Sequence, residues 1–438
     1  MKRKRILLCL LLLAATLLTG CNIRAINELY CLPSRSESYR NLQSQINRVM
    51  VGLEYCAPIV GENRQTVQTV DLNGDGENEY VLFARGTAEN PLRLFVFSLV
   101  DEEFVLLDTI YSTGDAFDQV EYVQMDDRPG MEIVLGRQIS NQVVRNVSVY
   151  TLVSDQLEQI VTASYTKFIC ADIDQDTRSE LMILRSDPAG NWVAELFGVE
   201  NGVVERSQEV NMSEPADAIK RIMVGKLNDG IHAVYVASSI NNKAIITDVF
   251  AMVSGVFTNV SFSNESGTSV QTLRNYYVYA DDIDEDGVLE LPDLITLRAP
   301  EDQSSPESQY LIRWYAMTST GAEVDKLYTY HNFVGGWYLQ LNGNLVNKIY
   351  VSQQGNAYVF GVWNDDGESV QRLMTVFALT GQKREEQATI DNRFVLKRTE
   401  STVYAANLDV ASATYGITKD ELLKSFHLIL QDWNTGET

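Results

Sequence analysis

Histidine is almost absent: His232, His331 and His427 are the only three in 438 residues, and none stands in an HExxH spacing. That removes the common zinc-hydrolase signature. A GxSxG elbow, a phosphate-cradling glycine loop and a dinucleotide fingerprint are missing as well. Cysteine is scarce. Of five, Cys9 and Cys21 fall in or beside an N-terminal leader, and Cys31, Cys56 and Cys170 follow at irregular spacing that suits neither zinc nor a disulfide framework. A Cys31–Cys56 bridge is open to an exported chain, with buried free thiols as the alternative. Basic residues are also few: 35 Lys and Arg against 59 Asp and Glu leave a formal net charge of −24. Such a field repels nucleic acid and attracts divalent cations, so nucleic-acid binding is excluded as a main function.

Long apolar runs are confined to the start of the chain. Lys2, Arg3, Lys4 and Arg5 precede an apolar stretch from Ile6 to Leu18, too short for an ordinary membrane span. It ends in Leu18-Thr19-Gly20-Cys21, which resembles the lipobox of bacterial lipoproteins. The resemblance implies a signal peptide over 1–20, cleavage before Cys21, and a lipidated Cys21 holding the chain on the membrane. Residues 21–35 read as a tether. Within 36–63, Tyr39, Leu42, Ile46, Val49, Met50 and Leu53 fall at three- and four-residue steps, one face of a short helix ending near Gly52.

Short β-type runs separated by turn residues begin at about Arg64. Thr66–Val70, Glu79–Ala84, Leu92–Leu99 and Phe104–Ile110 form one four-strand unit, the content of a propeller blade. Glu79, Glu132, Glu180, Ala233 and Glu290 mark equivalent places in successive units, at steps of 53, 48, 53 and 57 residues. A sixth unit is placed at Leu341–Val351. The expected fold is all-β: a β-propeller of six to seven four-stranded blades over 64–380. Residues 381–438 add a hairpin (392–397 and 402–408) and a C-terminal helix that closes the propeller. The helix opens at the capping-box spacing Thr418-Lys419-Asp420-Glu421, and Leu422, Leu423, Phe426, Ile429, Leu430 and Trp433 form its apolar face.

The units carry an acidic nonapeptide. Oxygen side chains stand at positions 1, 3, 5 and 9 in Asp71–Glu79, Asp172–Glu180 and Asp282–Glu290, spaced 101 and 110 residues apart on alternate units. Carboxylates at such positions on a tight turn converge on a hard cation that wants six to eight oxygens, calcium rather than magnesium. Glycine at position 6 permits the positive φ such a turn needs; Gly76 and Gly287 supply it and Thr177 does not, which predicts strain in the middle loop. The pattern resembles the nine-residue calcium loops of FG-GAP and VCBS-type repeats, found in integrin α-chain propellers and bacterial surface proteins. The resemblance implies three ligand sets: Asp71, Asn73, Asp75 and Glu79; Asp172, Asp174, Asp176 and Glu180; Asp282, Asp284, Asp286 and Glu290. The family more often has Asp at position 9, so Glu is a departure there. The whole chain also resembles repeat lipoproteins of Gram-positive bacteria, which implies a place on the outer face of the cytoplasmic membrane.

The function expected from these features is a lipid-anchored, calcium-stabilised binding or scaffold module for an envelope protein or glycan, with no catalytic residue identified. Two alternatives stay open. A polysaccharide lyase or hydrolase requires acids and tryptophans (Trp192, Trp314, Trp337 or Trp363) lining one pocket away from the loops. A solute-binding lipoprotein requires two α/β lobes.

Overall fold

The computed structural model describes residues 37–139, 144–200, 203–298, 309–364, 367 and 369–429. The leader, Cys21, Cys31, the tether, Leu430 and Trp433 lie outside the described residues. Cys56 and Cys170 are free thiols. Among the described residues no helix is long and apolar enough to cross a membrane.

The described chain is mostly strand, arranged as six antiparallel sheets of four or five strands in sequence order. The first contains Val67–Val70, Glu79–Arg85, Leu92–Val100 and Glu103–Ser112, with the two-residue strand Glu54–Tyr55 also paired to Glu79–Arg85. Sheet two runs Ala116–Val123, Glu132–Gln138, Arg145–Val153 and Gln156–Tyr165. Sheet three runs Lys167–Ala171, Glu180–Ser186, Trp192–Glu200 and Val203–Asn211. Sheet four runs Ile219–Lys226, His232–Ile240, Ala244–Val253 and Val256–Asn259. Tight two-residue turns with positive φ, Asp101-Glu102 (50° and 67°) and Ser154-Asp155 (49° and 63°), give these hairpins the twist of their strands.

The acidic loop joins the first strand of a unit to the second, and the second is where the hydrophobic sequence is densest. Val81 to Ala84, Ile133 to Leu135 and Leu181 to Leu184 are all fully buried. Continuous apolar runs mark strands covered on both faces, and here the covers are the neighbouring sheets. One cluster joins sheets one and two through Val81, Phe83, Phe117 and Ile133. Further clusters join two to three, three to four, four to five and five to six. A β-bulge falls between the third and fourth strands of the unit at Val96/Phe97, Val149/Tyr150 and Leu196/Phe197, and at the matching places Trp314/Tyr315 and Phe360/Gly361. The repeat read from the loops is thus a repeat of backbone register as well.

Each end of the row of sheets has its own cover. Helix α1 (Glu37–Val49) lays Leu42 and Ile46 on Leu82, Phe95, Phe97 and Phe104 of sheet one, while Gln43, Ser44, Asn47 and Arg48 face solvent. On sheet six, Ala388 and Val395 pack on Phe377, Leu379 and Val403. Among the described residues no hydrophobic cluster spans sheets one and six.

The C-terminal part departs from the expected closing element. Strands Phe394–Arg398 and Thr402–Leu408 extend sheet six, which holds Ile349–Gln354, Ala357–Trp363 and Val370–Thr380. The helix does start at the capping box, where Thr418 Oγ1 accepts from Glu421 N at 3.2 Å, but it stops at Ser425. Phe426–Leu428 then pairs with Trp337–Leu339 of sheet five, which also holds Glu290–Thr296, Tyr310–Met317 and Glu323–Asn332. Phe426 stacks on Trp337 with ring centroids 5.4 Å apart. Cross-strand aromatic packing and an open sheet edge outweigh the helical spacing of a β-favouring Phe-His-Leu sequence.

Candidate metal centres

Each acidic loop curls round its first aspartate. Asp71 accepts backbone N–H bonds from Gly74 (2.6 Å) and Gly76 (2.9 Å), Asp172 from Gln175 (2.8 Å) and Thr177 (3.3 Å), and Asp282 from Asp286 and Gly287 (both 2.8 Å). The curl needs positive φ at positions 4 and 6: 75° and 89° at Gly74 and Gly76, 68° and 77° at Gln175 and Thr177, 61° and 84° at Glu285 and Gly287. A β-branched residue at 77° is strained. Replacing Thr177 with Gly removes that strain while adding chain entropy to the unfolded state, so Thr177→Gly is expected to stabilise by about 1 kcal/mol. Urea unfolding of the two proteins side by side measures the gain.

The ninth residue turns inward and closes the loop from below. Glu79, Glu180 and Glu290 begin the second strands of their units, and each accepts the N–H of position 2: Leu72 at 2.8 Å, Ile173 at 2.7 Å and Ile283 at 3.1 Å. The shortened loop of sheet two keeps the same bond, Met125 N to Glu132 at 2.8 Å. Glu at position 9 is therefore a buried brace of the repeat whether or not a cation is present. Its extra methylene, compared with Asp, lets it reach the backbone of position 2 from inside the sheet.

The three full loops differ in what is left for a cation. Asp172, Asp174 and Glu180 bring carboxylate oxygens within 4.8 Å of one another, as do Asp282, Asp284 and Glu290. Two acidic clusters that can hold a metal ion thus stand at loops three and five. Asp71, Asp75 and Glu79 form no such group among the described residues. In the first loop position 3 is Asn73, whose Nδ2 donates to Glu79 Oε1 at 3.3 Å, and Ser98 Oγ donates to the same oxygen at 2.9 Å. In sheet two Thr151 Oγ1 plays the part of Ser98, 3.2 Å from Glu132 Oε1. In loops three and five no hydroxyl stands there: Gly198 lies against the Glu180 side chain, and Ala316 pairs with Glu290. Glu290 Oε1 is fully buried and has no hydrogen-bond partner.

Electrostatics follow that distinction. Burial, with Asp174 and Asp176 nearby, pushes Glu180 up to about 7; burial, with Asp284 and Asp286 nearby, pushes Glu290 up to about 8. Glu79 and Glu132 are also raised by burial, opposed by their backbone and hydroxyl donors. Position 5 stands outside both three-carboxylate groups. Asp176 pairs with Arg178, and Asp286 lies 2.9 Å from Lys326 Nζ, which holds its carboxyl below the ordinary range. Arg178 is position 7 of its own loop, whereas Lys326 was not legible as a loop partner, since it comes from a strand forty residues on.

The loops also touch one another along one rim of the row. Gly74 and Gly130 pack backbone to backbone, where a Cβ on Gly130 would meet Leu72 O at 2.3 Å. Asp127 of sheet two pairs with Arg178 of loop three at 2.6 Å. Loop three meets sheet four through Gln175 Nε2 to Gly230 O (3.1 Å) and His232 Nδ1 to Asp172 O (2.7 Å). Asp229 in turn accepts from Ser319 Oγ of sheet five at 2.6 Å. Loop five meets sheet four where Leu289 N donates to Lys226 O at 3.1 Å, so an ion in loop three or five would brace the contacts between sheets as well as its own turn.

No family model matches the chain, and no curated protein does. Among solved structures it is similar to the exotype rhamnogalacturonan lyase YesX, at 11% identity and a TM-score of 0.28, over 75% of this chain and 70% of that one. It is also similar to Bacillus licheniformis rhamnogalacturonan lyase PL11, at 10% identity and a TM-score of 0.31, over 73% of this chain and 89% of that one. Likeness at this level carries neither an arrangement of sheets nor an activity over to the chain.

The remaining residues singled out by type are mostly structural. Trp314 and Trp337 are fully buried, Trp314 donating to Thr329 Oγ1 at 2.8 Å. Trp363 lies under the Arg298 guanidinium, and Trp192 is exposed. His331 is stacked on Tyr338 at 4.9 Å, and burial pushes its pKa down to about 3, so it is neutral. His427 stacks on the same tyrosine, also at 4.9 Å.

Proposed function

We propose that the protein is a lipid-anchored binding module of the bacterial cell surface, built as a propeller-type array of sheets braced by calcium at loops three and five. The lipobox-like Leu18–Cys21 supports the anchor and the outer face of the cytoplasmic membrane as its place. The observation that carries the ion is Glu290: its carboxylate groups with Asp282 and Asp284, and one of its oxygens is buried without a donor. An unpaired buried acceptor costs free energy that a hard cation removes. An all-carboxylate donor set suits calcium, whose coordination number and distances are tolerant, better than magnesium. The module would bind or scaffold an envelope protein or glycan. The antiparallel sheets do not supply the two α/β lobes of a solute-binding lipoprotein.

The raised carboxyls make the ion compete with protons. Without calcium, Glu180 and Glu290 bind protons more tightly folded than unfolded; their contribution to stability is full below about 4.5 and is lost as pH rises through about 7 and 8. Calcium binds the ionised forms, so its affinity rises over the same window. Calorimetric titration at about pH 5.5 and about pH 8.5 tests this: calcium is expected to bind at least tenfold more tightly at the higher pH, with proton release near neutrality. Equal affinity at both would place the ion elsewhere, or nowhere.

A further inference from the structure

A second concave surface lies at the opposite end of the first strands from the acidic loops. Residues 59–64 and the starts of the first strands of sheets three and four, with parts of sheet two, enclose a crevice of about 690 Å³. That is within the range of small-ligand sites, roughly 300–1,000 Å³. In a chain of net charge −24 its lining has the reverse sign: Arg64, Arg145, Lys167, Lys220 and Arg221 against Glu62 and Asp118. One of the two acids is already committed. Asp118 is buried, accepts from Tyr165 Oη at 2.6 Å and Gln138 Nε2 at 3.0 Å, and lies 3.4 Å from Arg145 Nε. Lys167 lines the same crevice as Arg145 and is held below its ordinary range by burial and by the Arg145 charge. Cations gathered in a crevice repel one another, and an incoming anion relieves that repulsion.

We propose that this crevice binds an anionic segment, carboxylate- or phosphate-bearing, of an envelope polymer, with Lys167 and Lys220 as its principal contacts. The proposal rests on the binding-module reading and gives it a ligand class, but it uses none of the calcium ligands. The test is calorimetric titration of the full chain in detergent with three probes: a galacturonate trimer, a glycerol-phosphate oligomer and a neutral glucose oligomer. At least one anionic probe is expected to bind and to weaken as salt is raised, while the neutral probe does not bind. Which anion binds distinguishes carboxylate from phosphate as the source. The double variant Lys167→Ala/Lys220→Ala is expected to lower that affinity by about tenfold. Lys167→Arg is expected to keep it, and calcium titration of each variant reports whether the array is intact. Failure of both anionic probes, equal binding of the neutral one, or undiminished binding by a double variant that still takes up calcium would overturn the proposal. A loss of calcium binding in the wild-type chain would instead strike at the cation sites and leave this crevice standing.

Discussion

Calcium added after exhaustive chelation is expected to raise the unfolding temperature by about 5 °C. The size follows from mass action. Extracellular calcium modules bind at about 10⁻⁴ M, so about 10 mM calcium adds roughly 2.7 kcal/mol for each site that exists only in the folded protein. Two sites give about 5 kcal/mol, which a chain of this length converts into a shift of several degrees. Loops three and five both touch neighbouring sheets, through Arg178 and Gln175 in one case and, in the other, through Leu289 N donating to Lys226 O of sheet four at 3.1 Å. The gain is therefore expected across the main unfolding transition rather than in a local one. Magnesium at the same concentration is expected to give a smaller shift, because it surrenders its waters reluctantly. Scanning calorimetry with each ion and with chelator makes the comparison.

The largest effect of a single residue is expected at Glu290, and it has opposite signs with and without the ion. Glu290→Gln keeps a carbonyl oxygen to accept from Ile283 N and removes a buried charge beside Asp282 and Asp284. In chelator near pH 8 the variant is expected to be more stable than wild type by roughly 1–2 kcal/mol. In calcium it loses a ligand charge and hence about 2.7 kcal/mol of linkage, so the order of the two proteins reverses. Glu79→Gln is the control. There Ser98 and Asn73 both donate to Glu79 Oε1, and an amide nitrogen in that place would face donors. That variant is expected to be less stable by about 1–2 kcal/mol in either condition, with the calcium response unchanged. Denaturant unfolding of the three proteins in calcium and in chelator reads all of these outcomes.

The contrast between Glu79 and Glu290 marks where sequence reading stops. The strands, the acidic turns and the buried starts of the second strands were legible, because a step of about fifty residues repeats Glu79, Glu132, Glu180 and Glu290. Strain at Thr177 was legible too, since only position 6 breaks the glycine pattern. Asn73 in place of Asp174 and Asp284 is a difference inside the nonapeptide, but the rest of what separates a self-satisfied loop from one that can take a cation lies outside it. Ser98 and Thr151, or Gly198 and Ala316, come from the next strand, and only the pairing register brings them beside the glutamate. The pairing of Lys326 with Asp286 at position 5 of loop five is likewise a matter of packing. At the C-terminus, Phe426-His427-Leu428 fits a helical face and a strand equally well, and the free edge beside Trp337–Leu339 decides between them. The cationic crevice was hidden for a simpler reason: its residues are scattered over 59–222 in a chain whose composition points the other way.

The most direct measurement is the number of calcium ions bound at saturation, by equilibrium dialysis with radioactive calcium, in the full chain and in Asp71→Ala, Asp172→Ala and Asp282→Ala. Two ions are expected for the wild type and for Asp71→Ala, and one for each of the other two variants. No bound calcium, or a third ion that disappears in Asp71→Ala, would contradict the assignment of the sites to loops three and five.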